Sequence, residues 1–325
     1  VEGGNRKLAP VIDYQKGSLR DDFDFGSLLF FRSSVLKQAV RAMDADYRFA
    51  GLYDLRLRVS ELSELVHVNE YLYSEVETDT RKSGEKLFDY VDPKNRAVQI
   101  EMESVCTAYL KRVGGYLAPG FEPISFDIDG FEQEASVIIP VRNRIRTIED
   151  AIRSVLMQET TFRFNLIIVD NHSTDGTSEA IEKYTADKRV IHLIPERFDL
   201  GIGGCWNVGA HHPACGKFAV QLDSDDVYSG PDTLQKIVDA FYEQNCAMVV
   251  GTYRMTDFKM NEIPPGIIDH REWTLENGRN NALRINGLGA PRAFYTPVLR
   301  RINLPNTSYG AVSYTHLTLP TNSLV

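Results

Sequence analysis

The chain has 325 residues, of which 43% are hydrophobic and 25% charged, so it can bury a large core and is long enough for two domains. Its net charge of −9 and pI near 5.4 argue against a nucleic-acid binder. No run of about 18 apolar residues occurs, so the sequence predicts no membrane-spanning helix.

The cysteines and the first residues bear on localisation. The four cysteines, at positions 106, 205, 215 and 246, form no Cys-x-x-Cys pair, which argues against a zinc site and favours reduced thiols. The first seven residues lack the apolar core of a signal peptide. We therefore expect a cytoplasmic protein and leave peripheral association with the inner membrane face open.

The first 90 residues predict a small α/β segment. Residues 25–32 favour a strand, and a helix is expected from there through Val40. Asp54 and His67 are its two candidate functional residues. On a purely structural interpretation, Asp54 caps a helix and His67 lies on a strand.

The middle of the chain predicts a helical bridge and a linker. Residues 97–110 carry apolar side chains at helical spacing and offer no evident chemistry. Residues 117–134 contain prolines, glycines and acidic residues typical of a linker.

A regular alternation of strands and helices follows the linker. Short apolar runs, typical of buried strands, alternate with amphipathic segments whose apolar residues recur at helical spacing. This order predicts a doubly wound, mainly parallel sheet with a ligand crevice at the carboxyl ends of its strands. The predicted strands are 135–140, 165–169, 190–194, 217–222 and 247–253, and the helices are 147–157, 177–184, 205–210 and 233–244.

Three polar loops follow strands of this predicted sheet. They are residues 140–144, 170–177 and 223–226. Each alone could be an ordinary turn, because Asn, Asp, Ser and Gly are the usual turn formers. Their common position behind parallel strands instead predicts one site with groups for a base, a ribose and a metal ion.

The acidic loop constrains the chemistry most tightly. Asp223, Asp225 and Asp226 follow a short apolar run, and burying unpaired carboxylates in a strand would cost several kcal/mol. We therefore predict that they lie at the open end of a strand, where carboxylate oxygens can bind Mg²⁺ or Mn²⁺ that clamps a diphosphate. The alternative is an acidic turn before a helix that starts near Pro231.

Residues 137–177 and 222–226 together resemble the nucleotide-binding half of family-2 glycosyltransferases, which have the GT-A fold. The resemblance is carried by Ile138 to Asn143, by Ile168 to Thr177, and by Asp223-Ser224-Asp225-Asp226, and covers roughly residues 135–310. Asn171 and His172 stand where the family more often has Asp and Gly. The resemblance implies metal binding by Asp225, Asp223 and Asp226. It implies a nucleotide site formed by Pro140, Val141, Arg142, Asn143, Asp170, Asn171, Asp175, Gly203, Asn207, Asp223 and Ser224.

The glycine-rich stretch 200–209 superficially suggests a dinucleotide fingerprint. It does not follow the first strand, and no ribose-binding acid lies at the expected distance, so a Rossmann dehydrogenase is disfavoured. The family resemblance implies instead that a helix starts here beside the sugar diphosphate, with Gly203 and Asn207 nearby. We expect Trp206 to pack in the core.

The acceptor side is less complete. The resemblance places it around residues 286–292, with Arg292 either balancing phosphate charge or solvated, and we expect His270 to be a satisfied loop residue. After Gly310 the family usually has an acidic pair that includes the general base, whereas residues 311–325 resemble a non-native tail. The front segment resembles the acceptor half of another such domain, with Asp54 in the base position and His67 near a metal position.

The predicted organisation is a partial acceptor-half segment (1–90), a bridge and linker (91–134), a GT-A-like domain (135–310) and an atypical tail (311–325). The predicted function is metal-dependent, inverting transfer of a sugar from a UDP- or GDP-linked donor to a hydroxyl on a glycan or lipid-linked acceptor. Two alternatives remain open, a non-catalytic sugar-nucleotide-binding remnant and a nucleotidyltransferase.

Overall fold

The computed structural model describes residues 8–21, 23–44, 46–76, 92–128, 130–271, 273–285 and 292–302. The chain forms two compact units. The first comprises Val1–Gly120 together with Arg271–Gly287, and the second comprises Phe121–His270 together with Leu288–Val325. These units divide the chain differently from the predicted segments, because residues 271–287, which were predicted to belong to the GT-A-like domain, join the first unit.

The regular elements among the described residues of the first unit are all helices. It contains a short 3₁₀ turn at Pro93–Asn95 in addition to its α-helices. None of the described helices in either unit is both long and apolar enough to cross a lipid bilayer. The α-helices of the first unit are α1 (Ser33–Arg41), α2 (Gly51–Leu62), α3 (Arg96–Val113) and α8 (Gly278–Asn281).

The second unit alternates strands and helices as the sequence predicted. Its elements are β1 (Ala135–Val141), α4 (Ile148–Leu156), β2 (Phe164–Asp170), α5 (Thr177–Glu182), β3 (Val190–Leu193), α6 (Ile202–His211), β4 (Phe218–Gln221), α7 (Thr233–Gln244), β5 (Met248–Val250), β6 (Tyr253–Thr256), β7 (Glu262–Ile268), β8 (Arg292–Tyr295) and α9 (Thr296–Ile302).

The central sheet confirms the predicted α/β class. Its strand order is β3-β2-β1-β4-β8-β5, and β6 pairs with β7 in a separate two-stranded sheet. Strands β1 to β4 pair in parallel, whereas β8 lies antiparallel between β4 and β5. The sheet is therefore mainly parallel, as the alternation of strands and helices predicted.

Both faces of this sheet are covered. Val137 and Ile139 point into one apolar cluster with helices α4, α5 and α7, while Ile138 points into a second cluster with helix α6. Every residue of β1 and β2 is buried, as expected for strands packed on both faces. This doubly wound arrangement leaves the ends of the strands as the place where polar loops reach solvent.

The strand predicted at residues 25–32 does not form. These residues pair with no other strand, and Leu28, Phe30 and their apolar neighbours are exposed. An unpartnered strand leaves its backbone groups without ladder hydrogen bonds, so alternation alone does not stabilise it. Residues 53–58 lie within helix α2, and 66–73 also form no strand. The described part of the first unit thus combines helices with irregular segments and contains no strand, so it is not α/β.

Candidate functional site

The carboxyl ends of four neighbouring strands meet at one edge of the sheet. Val141 pairs with Asp170 at the ends of β1 and β2, and Val169 pairs with Leu193 at the end of β3. β4 runs parallel to β1. The loops that follow these strands therefore share an edge, which is where ligands bind in open α/β sheets.

The loops after β1 and β2 are bound to each other. The Asn143 amide donates to Ser173 Oγ at 3.0 Å, and the Thr174 amide donates to Asn143 Oδ1 at 2.7 Å. Asn143 has a φ of 55°, which Asn tolerates better than most residues. Pro140 and Val141 lie inside β1 and are buried, whereas Arg142 and Asn143 are exposed. Of these four predicted nucleotide residues, the last two present side chains at the surface.

Asp170, the last residue of β2, holds the loop that follows this strand through hydrogen bonds. Its carboxylate is fully buried, and it accepts hydrogen bonds from the Ser173 amide at 2.9 Å and from Ser178 Oγ. His192 Nε2 lies 3.4 Å away. Burial raises the pKa of Asp170, but the interactions with His192, Ser173 and Ser178 outweigh it and lower the pKa to about 2. The observed contacts of Asp170 are with the protein, so its predicted base contact stays a prediction.

Sequence reasoning missed His192. Its pKa is raised by Asp170, against the effect of burial, with a further contribution from Glu182. The available signal was a histidine in the otherwise apolar run Val190–Leu193, on the strand that pairs with β2. Because a buried carboxylate needs a compensating partner, a polar residue on a neighbouring strand was the place to look.

Asp175 fixes the start of helix α5. Its Oδ1 accepts from the Thr177 amide at 3.1 Å and from Thr177 Oγ1 at 2.5 Å, and its Oδ2 accepts from the Ile145 amide at 3.2 Å. Burial opposes ionisation, but these hydrogen bonds hold the pKa of Asp175 below its ordinary value. The bond to the Thr177 amide satisfies a backbone donor in the first residue of the helix. Asp175 thereby connects the first loop to the second.

The loop after β3, residues 194–201, is hydrogen-bonded to the loop after β2. Asn171 Nδ2 donates to the Leu200 carbonyl at 2.5 Å, and His172 Nε2 lies 3.0 Å from the Arg197 carbonyl. The His172 ring stacks on the Phe198 ring with centroids 3.9 Å apart and planes 15° apart. Sequence reasoning missed Phe198, for which no local pattern gave a signal.

The acidic loop after β4 places Asp223 and Asp225 close enough to influence each other. Burial raises the pKa of Asp225 to about 6, with a further contribution from Asp223 and an opposing one from Arg144, whose Nε lies 3.7 Å from Asp225 Oδ2. Burial likewise raises the pKa of Asp223, against the effect of Arg292. Two neighbouring carboxyl groups that are partly buried are costly to ionise together, because their negative charges repel each other. A bound cation would offset this repulsion and favour the ionised forms.

The cations beside this pair come from two elements. Burial lowers the pKa of Arg292 while Asp223 favours its charged form, and Arg292 Nε is buried without a hydrogen-bond partner among the described atoms. Arg292 is therefore half-buried beside the acidic loop rather than freely solvated. Arg144 and Arg292 give the loop positive charge that anionic ligand groups can share.

The third carboxylate of the acidic loop differs from the other two. Asp226 is 3% exposed and Ser224 is 4% exposed, so neither presents its side chain to solvent. Within the described parts of the chain, no three His, Cys, Asp or Glu side chains converge as a metal-binding group. The structure therefore pairs Asp223 with Asp225 and does not gather all three predicted metal ligands around one point.

Helix α6 brings the glycine-rich stretch against the sheet. Gly203 and Asn207 are half-buried, and the Asn207 carbonyl accepts a hydrogen bond from His211 Nδ1 at 2.9 Å. Trp206 packs against the apolar cluster on the α6 face of the sheet, as predicted. The predicted nucleotide roles of Gly203 and Asn207 remain predictions.

Asp54 and His67 do not have the surroundings predicted for them. Asp54 is fully buried in α2, where its Oδ2 accepts from Arg58 Nε at 2.9 Å, so its observed contact is within the protein and its role as a base stays a prediction. His67 Nδ1 lies 2.7 Å from Asp13 Oδ1, within hydrogen-bonding distance, and its predicted metal contact stays a prediction. His270 is buried with its ring near that of Tyr253. Residues 286–291 of the predicted acceptor side and the tail after 302 lie outside the described residues.

The family to which this sheet and its loops belong follows from sequence comparison. The family model described as Glycosyl transferase family 2 matches residues 136–302, about half of the chain and all the loops described above. The chain belongs to glycosyl transferase family 2. Its mainly parallel sheet with helices on both faces agrees with the GT-A fold of that family.

Curated relatives in this family resemble parts of the chain. A putative teichuronic acid biosynthesis glycosyltransferase, TuaG of Bacillus subtilis (strain 168), is 33% identical over 120 residues, which is 37% of this chain and 46% of TuaG. An uncharacterized glycosyltransferase of Rickettsia felis is 39% identical over 97 residues, 30% of this chain and 15% of the relative. The chain thus spans less than half the length of these relatives.

Solved structures give a weaker likeness. S. aureus TarS 1-349 in complex with UDP-GlcNAc has a TM-score of 0.41 at 20% identity, covering 59% of this chain and 56% of that one. The mannosyltransferase PcManGT from Pyrobaculum calidifontis, in complex with GDP-Man and Mn²⁺, has a TM-score of 0.38 at 16% identity, covering 74% of this chain and 66% of that one.

Proposed function

We propose that this family-2 protein transfers a sugar from a nucleotide diphosphate donor to a hydroxyl group of an acceptor, with inversion at the anomeric carbon. The observation that carries the proposal is the Asp223–Asp225 pair at the end of β4, on the edge where the loops after β1, β2 and β3 also emerge. Family membership supports sugar transfer, and this edge supplies groups for both halves of a nucleotide diphosphate.

A divalent ion fits the donor set at this edge. The pKa of Asp225 is raised to about 6 by burial and by Asp223, so a nearby cation would favour the carboxylate form. Carboxylate oxygens are the ligands that Mg²⁺ and Mn²⁺ prefer. We assign Asp225 and Asp223 to this ion and keep Asp226 as a supporting residue. When bound, the ion would neutralise charge on the departing diphosphate.

Different protein groups are proposed to bind the diphosphate and the nucleoside of the donor. Arg144 and Arg292 lie beside the acidic pair and can bind phosphate oxygens through their guanidinium groups. Asn143 is an exposed polar residue on the first loop, and Asn171 follows Asp170 on the second. We propose that these two loops position the nucleoside while α6, with Gly203 and Asn207, approaches the diphosphate.

The acceptor oxygen would form its bond to the anomeric carbon as the bond to the diphosphate breaks, and its proton would pass to a general base. Asp54 is not proposed as that base, because its carboxylate is buried against Arg58. The name of TuaG supports a polysaccharide precursor as acceptor. A cytoplasmic or membrane-peripheral location fits such an acceptor and is part of the proposal.

Donor binding tests the proposal directly. We expect UDP- or GDP-sugars to raise the melting temperature only when Mn²⁺ or Mg²⁺ is present, and Asp225→Asn to weaken donor affinity by at least about tenfold, because it removes a direct ligand. A panel of nucleotide sugars scored by thermal shift identifies the donor, and slow donor hydrolysis reports turnover.

The matched control is Asp150→Asn, which alters an exposed carboxylate paired with Arg153 on helix α4. We expect it to bind the donor as the native protein does. Equal donor affinity of the native protein and Asp225→Asn, with metal present, would contradict the proposal.

A second candidate is a donor-binding protein without turnover. The burial of Asp54 against Arg58 supports this candidate, because a buried and ion-paired carboxylate is a poor general base. Metal-dependent donor binding combined with neither sugar transfer nor donor hydrolysis would support this candidate over the enzyme.

A further inference from the structure

Phe198 is an exposed aromatic residue at the edge of the sheet where the proposed site lies. It follows β3 and is 77% exposed, and its ring lies against the His172 ring, which follows β2. An exposed phenylalanine is ordinary by itself. Phe198 differs because one face of its ring is already stacked on a second ring, so its position is set before any ligand arrives.

The loop that carries Phe198 is fixed on both sides. Arg197 and Asp199 form a two-point ion pair, with Nε to Oδ1 at 2.9 Å and Nη2 to Oδ2 at 2.7 Å. His172 Nε2 donates to the Arg197 carbonyl, and Asn171 Nδ2 donates to the Leu200 carbonyl. Two residues of the β2 loop thus hold the β3 loop just before and just after Phe198, which lowers the entropy cost of using the ring for binding.

His172 adopts the left-handed backbone conformation, with a φ of 59°. A non-glycine residue pays a conformational cost there. The chain accepts this cost and gains a ring that supports Phe198.

We propose that the His172–Phe198 stack is a platform for the nucleobase of the donor, with the base lying on the open face of Phe198. Stacking on an aromatic side chain suits any base because every base has a flat π-face. The inference rests on the proposed donor site, because the stack follows β2 and β3 at the same edge of the sheet. It adds the β3 loop to the two loops that we propose position the nucleoside, and it leaves the diphosphate beside the β4 loop and helix α6.

Titration of UDP, GDP and inorganic pyrophosphate with Mn²⁺ present separates these two roles. We expect Phe198→Ala to weaken UDP or GDP binding by about tenfold, because stacking on a side chain contributes on that scale. Pyrophosphate has no base, so its affinity should stay within about twofold. Phe198→Trp should restore nucleotide binding.

His172→Gly removes the supporting ring while relieving the positive φ, since glycine adopts that conformation freely. We expect a smaller loss of nucleotide affinity, again with pyrophosphate unchanged. Phe121→Ala is the control, as it removes a phenylalanine that is 67% exposed and lies outside these loops. It should change neither affinity.

The outcomes distinguish this inference from the proposed function. Unchanged nucleotide affinity in Phe198→Ala would overturn the platform and leave the donor site standing. Equal losses for nucleotide and pyrophosphate would also overturn it, because the residue would then support the whole site. If the native protein bound neither UDP nor GDP, the inference would fall together with the proposed function.

Discussion

At the scale of single residues, Asp223 and Asp225 have raised pKa values, unlike an isolated and solvated aspartate. Each carboxylate is partly removed from water, and each makes the charge of the other less favourable. Arg144 and Arg292 offset part of this cost. Keeping both carboxylates ionised near neutral pH therefore destabilises the metal-free protein. A bound cation removes this destabilisation, so the pair favours cation binding.

This cost predicts a pH dependence of stability. The pKa of Asp225 is about 6 in the folded protein against an ordinary value of 3.8. Because the folded state binds the proton more tightly, this contribution to stability is fully present below pH 3.8 and is lost as the pH rises through 6. The difference corresponds to at most about 3 kcal/mol.

We therefore expect the metal-free native protein to lose stability relative to Asp225→Asn between pH 4 and 6, measured as the free energy of unfolding in urea. Mn²⁺ should reverse the loss above pH 6. Asp150→Asn serves as the control and should follow the native protein. A constant difference between native protein and Asp225→Asn at every pH would rule out this account.

At the scale of elements, helix α6 lies very close to the central sheet. A Cβ added at Gly209 would be 2.5 Å from Ile138 Cγ2, closer than carbon atoms approach each other without a clash. Gly209 is therefore required by the contact between α6 and β1. The same contact sets where Gly203 and Asn207 stand relative to the ends of the strands.

Gly209→Ala is expected to destabilise the protein by about 1–3 kcal/mol, because the inserted methyl group forces α6 away from β1. Urea unfolding measures the loss, and donor affinity should fall with it if α6 lies beside the diphosphate. Gly120→Ala is the control, since its added Cβ would meet no atom within 4 Å. Equal stability of the two variants would contradict close packing at Gly209.

The elements of the second unit were predictable because buried strands and amphipathic helices have distinct periods. Helix α7 begins and ends at Thr233 and Gln244 as predicted, and β1 extends the predicted strand by one residue to Val141. The strand predicted at residues 25–32 is absent from the structure. Their apolar character predicted a strand, but a strand needs a neighbour, and no local pattern reveals whether one exists.

At the scale of the molecule, Arg284 links distant parts of the first unit. It is fully buried, and its Nη1 donates to Gln99 Oε1 at 2.9 Å and to Asp21, while its Nε donates to Asn281 Oδ1 at 2.9 Å. These contacts join residues 271–287 to helix α3 and to Asp21 near the start of the chain. A buried cation of this kind is costly unless its partners are in place.

Arg284→Ala is expected to cost the first unit about 3–5 kcal/mol, because it removes a buried cation that donates to Asp21, Gln99 and Asn281. Hydrogen exchange should show the loss as reduced protection of amides in α3, which carries Gln99. Arg41→Ala, which alters an exposed arginine at the end of α1, is the control. Unchanged protection of α3 in Arg284→Ala would show that residues 271–287 do not stabilise this unit.

The sequence by itself determined the alternation of strands and helices in the second unit, the common edge of its polar loops, and the family. These features depend on residue patterns that lie close together along the chain, such as Asp223 and Asp225 at the end of one apolar run. Only the tertiary structure decided that Asp54 is buried against Arg58, that His192 supports Asp170, that Phe198 stacks on His172, and that Arg284 joins the first unit. Each of these depends on which side chains meet across gaps in the sequence, and local periodicity carries no record of such contacts.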